Sequence, residues 1–295
     1  MKIMGIDIPP VSIPRRDHQH STPPICSICI PTFNGAVTIQ ETIESVLRQS
    51  IQNIEIIVSD DNSSDETVSI LSSLVDSRLR IVRGPSTGIA ADNWNFCVSL
   101  AEGRYVKVMG QDDILYPNAL EVEIASLEQS SRQDIVITFC KRNLISLSGK
   151  KVPRIFEVGE KIPEEIEIYK FLPVLVRSGR NILGEPVCAT FRKSAFEKTG
   201  GFSGSYVIDI AMWIQLLKLG PGISTRKALC AFRISQTSWT YRLRGSQAAE
   251  TSKFFQEIAD SNPGLISHRD LVIGRIKAII AQRMRKLIVM YMDRR

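Results

Sequence analysis

Two adjacent carboxylates, Asp112-Asp113, follow the β-prone run Tyr105 to Met109 through Gly110-Gln111. Side by side at a strand end they repel each other unless a cation sits beside them, and an all-oxygen donor set favours Mg²⁺ or Mn²⁺ over zinc. A divalent ion held there can bind a diphosphate and stabilise the charge that builds on a departing nucleoside diphosphate. The competing use of the pair is to cap a helix opening near Pro117. A second pair, Asp60-Asp61, ends the apolar run Ile54 to Ser59. Nucleotide-binding βαβ units place an acid there for ribose or base, while Ser63 or Asp65 is available for capping. Pro31-Thr32-Phe33-Asn34 closes the first strand in the same way. Neither Gly-x-x-x-x-Gly-Lys-[Ser/Thr] nor Gly-x-Gly-x-x-Gly occurs, so phosphate binding falls to a metal and not to a glycine cradle.

These polar loops need a frame. Residues 25 to 30, 54 to 59, 79 to 82, 105 to 109 and 134 to 140 read as strands. Between them lie helical patterns: Ile39, Ile43, Val46 and Leu47 share one face, as do Val68, Leu71, Leu74 and Val75. Thr38-x-x-Glu41 and Ser63-x-x-Glu66 offer capping boxes at the two helix starts. Strands alternating with helices predict an α/β fold with a Rossmann-like, mostly parallel sheet and helices on both faces. In such sheets ligands bind beyond the carboxyl ends of the strands, where the three polar loops fall. Residues 141 to 180 read as a variable insertion, Gly184 to Arg192 as a strand, and Asp209 as the start of a helix ended by Gly220-Pro221.

At 295 residues, 43% hydrophobic and 23% charged, the chain is long enough for a sizeable core, which excludes disordered and low-complexity classes. Residues 269 to 295 carry eight basic and two acidic side chains and account for the whole net charge of +6, so the body offers no footprint for nucleic acid. Six scattered cysteines predict reduced, buried thiols and a cytoplasmic compartment. Cys26-x-x-Cys29 lacks the second ligand pair that a zinc site requires. No stretch has signal-peptide or membrane-spanning character. On a helical wheel Ile273, Ile276, Ile280, Met284, Leu287 and Tyr291 share one face, with Arg275, Gln282, Arg285 and Lys286 opposite. This basic amphipathic tail suits either an anionic membrane surface or packing on the protein.

The motifs Pro31-Thr32-Phe33-Asn34, Glu44 to Gln49, Ile56 to Thr67, and Gly103-Arg104-Tyr105 through Asp112-Asp113 resemble the inverting glycosyltransferases of family 2, with the GT-A fold, over residues 25 to 240. The resemblance implies nucleotide-sugar contacts at Pro31, Thr32, Phe33, Asn34, Asp60, Asp61 and Asp112. It implies a metal site, Mn²⁺ or Mg²⁺, at Asp113 as the direct ligand with Asp112 beside it. Asp209, in Val207-Ile208-Asp209-Ile210-Ala211-Met212-Trp213, matches the catalytic base, and Glu185 faces the acceptor or donor sugar. Two departures stand out: Gln111 is neutral where relatives are often acidic, and Ser235 stands where many carry histidine.

The resemblance implies transfer of a sugar from a nucleoside-diphosphate donor, UDP-sugar favoured, to a hydroxyl of a glycan or lipid-linked acceptor, as in bacterial surface-polysaccharide assembly. The expected setting is cytoplasmic, peripheral on the inner face of the membrane through the tail. The expected organisation is a leader at 1–24, a nucleotide-sugar half at 25–140, an acceptor half at 141–260 and a helical tail at 261–295. The alternative is a non-catalytic nucleotide-sugar or glycan binder of the same fold. A sugar-1-phosphate nucleotidyltransferase would need a Gly-rich, Arg-bearing loop after the first strand, which Pro31 to Gly35 is not.

Overall fold

The structure is a computed structural model that describes residues 2–3, 6–7, 22–128, 134–152, 162–204, 206–234 and 245–292. Among the described residues, strands β1 (Lys2–Ile3) and β2 (Ile6–Asp7) pair only with each other; most of the leader, and Ser235, lie outside the described residues. The body opens with β3 (Cys26–Thr32), α1 (Ile39–Leu47), β4 (Ile54–Asp60), α2 (Thr67–Ser73), β5 (Leu79–Arg83), α3 (Ala90–Ser99) and β6 (Tyr105–Val108). Its four strands run parallel in the order β5-β4-β3-β6. Register sets Thr32 opposite Asp60, which brings the first two polar loops to one sheet edge.

The chain continues through β7 (Ile114–Leu115), α4 (Ala119–Glu128), β8 (Ile137–Ile145), β9 (Glu165–Ile166), α5 (Ile168–Ser178), a 3-10 turn at Pro186–Cys188, β10 (Ala189–Arg192), α6 (Lys193–Phe196), α7 (Ile208–Leu219) and β11 (Gly222–Arg233). The same sheet extends as β6-β10-β8-β11-β7, with β9 also on β11. Here β10 is antiparallel to both neighbours and β8 runs parallel to β11, so the fold is α/β with a parallel first half and a mixed second half. Successive strand residues serve opposite faces. Ile28, Ile30, Ile56 and Val58 meet α1 and α4 on one side. Cys29, Ile57, Val106 and Val108 join the core built with α3, α5 and α7 on the other. Cys26 and Cys29 therefore point to opposite cores and cannot share an ion.

Several local expectations are corrected. Both capping boxes are absent: Thr38 and Glu66 occupy the N-cap positions without side-chain caps. The Thr38 hydroxyl goes to the Gln111 carbonyl and the Ser63 hydroxyl to Asp60, because tertiary partners outcompete the local ones. Strand β8 runs on through 141–145, which the sequence reading assigned to the insertion. The stretch 184–192 splits into a turn and a strand, since Pro186 has no N–H for a ladder. The twelve-residue β11 has no counterpart among the strands expected from sequence. Its register shifts between Ser224 and Cys230, and Arg226 at φ 56° interrupts the alternation that marks a strand.

Helices α8 (Gln247–Asp260) and α9 (His268–Met292) follow. Helix α9 packs on α5 through small residues: any side chain at Gly274 would collide with the Val176 carbonyl, and Ala278 is buried. Asp270 takes Arg177 Nε at 2.6 Å, Gln282 Oε1 accepts Ala248 N–H at 2.8 Å, and Arg285 bonds the Tyr206 hydroxyl. The packed face is thus the 270–274–278–285 side. Of the apolar stripe, Ile276, Ile280 and Leu287 face out, 55%, 54% and 54% exposed, while Ile273 and Met284 are half-buried.

Candidate active site

The loops after β3 and β4 are bonded into one unit. Asn34 N–H donates to Ser63 Oγ and Asn34 Oδ1 accepts Ser64 N–H, both at 2.8 Å; Gly35 N–H reaches Thr67 Oγ1 at 2.7 Å and Ala36 N–H reaches Asp65 at 3.1 Å. Asn34 can take its positive φ of 51° because its short amide bonds locally. Thr32 is buried, while Phe33 stands 45% exposed beside it and Pro31 is half-buried. The two acids of this region are engaged. Asp60 accepts the Ser63 N–H and hydroxyl. Asp61 accepts Ser86 N–H at 2.6 Å and Gly88 N–H at 3.2 Å, which fixes the loop before α3. A carboxylate has about four acceptor positions, so Asp61 keeps capacity for a ligand.

The third loop carries Asp112, half-buried, and Asp113, 2% exposed. A Cβ placed on Gly110 would lie 2.8 Å from Asp112 Oδ1 and 3.0 Å from Asp113 Oδ2, so the two carboxylates converge on the space that this glycine leaves open. Burial pushes the Asp112 carboxyl up to about 6, and burial with the neighbouring Asp112 pushes Asp113 well above its ordinary value. Two hard oxygen donors held together at that cost suit a hard divalent cation. Neither acid caps α4.

Gln111, Thr42, Arg233 and Glu41 hold this loop. Gln111 clamps the Phe33 backbone, accepting its N–H at 2.8 Å and donating to its carbonyl at 3.0 Å. An amide supplies both a donor and an acceptor, which an ionised acid at this position cannot. Thr42 Oγ1 donates to the Gln111 and Asp113 carbonyls. Arg233, fully buried at the end of β11, donates from Nε to the Asp112 carbonyl and from Nη1 to the Ser146 and Leu147 carbonyls. Its Nη2 meets Glu41 at 2.6 Å. The sequence carried no signal for these contacts, because each joins segments dozens of residues apart.

On the facing side, Glu185 precedes the 3-10 turn and pairs with Arg142 of β8, Nε to Oε2 at 2.5 Å. Burial pushes Glu185 up to about 7 against the pull of Arg142, with Asp209 adding to the rise. Glu185 in turn raises Asp113. Asp209 lies in the first turn of α7, half-buried, not at the N-cap, which is Val207. Its Oδ1 accepts Ile210 N–H at 2.7 Å and its Oδ2 accepts Asn181 Nδ2 at 2.9 Å. Burial outweighs both bonds and raises its carboxyl to about 6. Asn181 also donates to the Gly184 carbonyl, and its own Oδ1 accepts the Leu183 and Gly184 N–H groups. Trp213 Nε1 bonds the same Gly184 carbonyl. One asparagine thus ties the Glu185 turn to Asp209.

Residues 27–200 match the family model described as Glycosyl transferase family 2. The chain belongs to this family. The UDP-Glc:alpha-D-GlcNAc-diphosphoundecaprenol beta-1,3-glucosyltransferase WfgD of Escherichia coli is 30% identical over 138 residues, covering 47% of this chain and 53% of that one. Two solved structures share the fold of this family 2 member. TarS 1-349 of S. aureus in complex with UDP-GlcNAc has a TM-score of 0.59 at 15% identity, over 88% of this chain and 90% of that one. The mannosyltransferase PcManGT of Pyrobaculum calidifontis, in complex with GDP-Man and Mn²⁺, also gives 0.59, at 16% identity over 91% and 74%. The first curated relatives are matched over 62% to 68% of their own lengths. Among the described residues of this family 2 chain, no helix is long and apolar enough to cross a membrane.

Proposed function

We propose that this glycosyltransferase moves a sugar, with inversion, from a nucleoside-diphosphate donor to a hydroxyl of a glycan or lipid-linked acceptor. The observation that carries the reading is the set of acids at one sheet edge. Asp112 and Asp113 converge at Gly110, Asn181 bonds both Asp209 and the Gly184 carbonyl beside Glu185, and Glu185 is near enough to Asp113 to raise its carboxyl. The WfgD relative, named for a diphosphoundecaprenol substrate, supports a lipid-linked acceptor. The TarS and PcManGT complexes support a nucleotide-sugar donor, UDP-linked in the first.

In this reading Pro31, Thr32, Phe33, Asn34, Asp60 and Asp61 line the nucleotide end of the cleft. Asp112 and Asp113 would hold Mn²⁺ or Mg²⁺, which would supply positive charge against the diphosphate. Asp209 takes the proton of the acceptor hydroxyl as that oxygen bonds the anomeric carbon; the bond from that carbon to the diphosphate breaks on the opposite face, and its electron pair leaves with the nucleotide. A carboxyl near 6 is ionised at neutral pH yet basic enough to share a proton, the balance a general base requires. Glu185 faces the sugars.

The apolar stripe of α9 supports a peripheral position on the cytoplasmic face of a membrane. Ile276, Ile280 and Leu287 are exposed while the helix is already anchored to the body by its opposite side, and Arg269, Arg275, Lys277 and Arg283 lie on the same helix.

Calorimetric titration with UDP, GDP, CDP and dTDP, with and without Mn²⁺, tests the donor site on wild type and Asp113→Asn. Metal-dependent binding of one nucleotide, lost in the variant, is expected. A folded wild-type protein that binds none of the four overturns the reading in favour of a non-catalytic family member.

A further inference from the structure

Beneath the Glu185 turn, three thiols converge that the sugar-transfer reading leaves unused. Cys140 comes from β8, Cys188 from the 3-10 turn and Cys230 from β11; all three are buried in the core on the α1 and α4 side of the sheet. The Sγ atoms of Cys140 and Cys230 lie 3.6 Å apart, those of Cys188 and Cys230 3.9 Å apart, and all three within 4.8 Å of one another. The paired cysteines are 90 and 42 positions apart in the chain, so no sequence motif announces them. Among the described residues, no further histidine, cysteine or carboxylate joins the group.

A thiophilic ion binds thiolate at about 2.3 Å, which sets sulfurs around one ion at separations of about 3.8 Å (tetrahedral) to 4.0 Å (trigonal). The two Cys230 separations, 3.6 and 3.9 Å, lie close to these values and the third is within 4.8 Å, so an ion could be taken up with only small side-chain movement. Thiolate donors are soft and select zinc or copper(I) over the hard cations that suit Asp112 and Asp113. Negative sulfur in a low-dielectric core also needs cations nearby. Lys107 and Arg142 flank the cluster: Cys140 and Cys230 favour the charged form of the first, and Cys188 and Cys230 that of the second. Hydrogen bonds from Cys140 and Cys230, helped by Arg142 and Lys107, hold the Cys188 thiol well below its ordinary range, while those of its two partners are raised. The thiol protons leave as the ion enters.

We propose that Cys140, Cys188 and Cys230 form a three-thiolate site for one soft, thiophilic metal ion of the zinc or copper(I) type. Such an ion would staple together the three segments that carry Arg142, Glu185 and Arg233. Such a site is independent of which sugar or acceptor the enzyme uses.

The test is titration of the full-length, reduced, metal-free protein with Cd²⁺, read by thiolate-to-metal charge-transfer absorption, with Zn²⁺ as competitor. One equivalent of Cd²⁺ is expected to raise the band and Zn²⁺ to remove it. The band should vanish in Cys188→Ala and in Cys230→Ala, and persist in Cys97→Ala, whose thiol bonds the Ile57 carbonyl in the other core. Circular dichroism establishes that each variant is folded. Should one alanine variant fail to fold, the serine variant at the same position replaces it, and Zn²⁺ is further expected to raise Tm in wild type. A folded wild-type protein with no band, or a band that survives in either cluster variant, overturns the proposal.

Discussion

Arg233 N–H donates to Asp113 Oδ1 at 3.2 Å while its side chain reaches the carbonyl of the preceding Asp112 at 2.8 Å. The last residue of β11 therefore grips the acid pair twice, once by a bond that any residue could make and once by a bond that needs a guanidinium. The remaining nitrogens tie the same point to the Ser146 and Leu147 carbonyls and to Glu41 of α1. Asp112 and Asp113 cannot shift relative to three neighbouring segments without breaking this fork.

Replacing that fork should weaken the metal site proposed at Asp112 and Asp113. Arg233→Lys keeps the charge but reaches fewer partners, and loss of outer-shell support typically costs about 10- to 100-fold in metal affinity. Mn²⁺-dependent nucleotide binding should weaken by that factor while far-UV circular dichroism stays unchanged. Arg233→Met leaves buried carbonyls unpaired, at about 1–3 kcal/mol each, and should also lower Tm. Unchanged Mn²⁺ dependence in a folded Arg233→Lys would show that the fork does not tune the acids.

Asp209 as the base predicts a kcat that rises with pH through about 6 and then levels, because the carboxyl must lose its proton to work. Asp209→Asn should lower kcat by about 10²- to 10⁴-fold and leave nucleotide affinity intact. The bond from Asn181 favours the ionised carboxylate, so Asn181→Ala should move the rising limb to higher pH. A limb that stays in place in Asp209→Asn would assign it to another group.

Glu185 should give the fold a pH dependence of its own. Its carboxyl titrates near 7 when folded and near the ordinary value of 4.5 when unfolded. Between those limits the folded chain holds a proton that the unfolded chain has released, so this contribution to stability is full below about pH 4.5 and is lost as pH rises through 7. Urea unfolding of the metal-free protein from pH 5 to pH 8 should show wild type losing stability faster than Glu185→Gln. Parallel curves would mean that Glu185 is ionised in the fold throughout.

The outward stripe of α9 predicts binding to anionic vesicles. Sedimentation with phosphatidylglycerol-containing vesicles should pull down wild type, with weaker binding to neutral vesicles and at high salt. Ile276→Glu with Ile280→Glu should abolish it without unfolding the protein, since both side chains are already in solvent. Equal recovery of wild type and double variant would leave the stripe without a lipid partner.

Much of this protein is local in origin and was legible along the chain. The apolar runs of β3, β4 and β6 and the helical spacing of Ile39, Ile43 and Val46 specify a parallel sheet with helices on both faces, because period and turn residues are properties of neighbours in sequence. Parallel topology then requires the loops after those strands to meet at one edge, so Asn34, Asp60 and Asp113 were readable as a group. The tail was legible as amphipathic, but which face it buries was not: Gly274 and Ala278 won over the isoleucines because small residues let two helix backbones approach.

Tertiary structure alone decided what surrounds the acids. Thr38, Ser63 and Glu41 carry sequence signals for helix caps, yet their side chains turn to Gln111, Asp60 and Arg233. Asn181 and Arg142 have no local pattern to mark them, and Cys140, Cys188 and Cys230 meet only because β8, the 3-10 turn and β11 lie side by side. A residue's spacing reveals the element it belongs to. Its partners across the sheet depend on strand order and register, and no window of sequence contains both sides of such a contact.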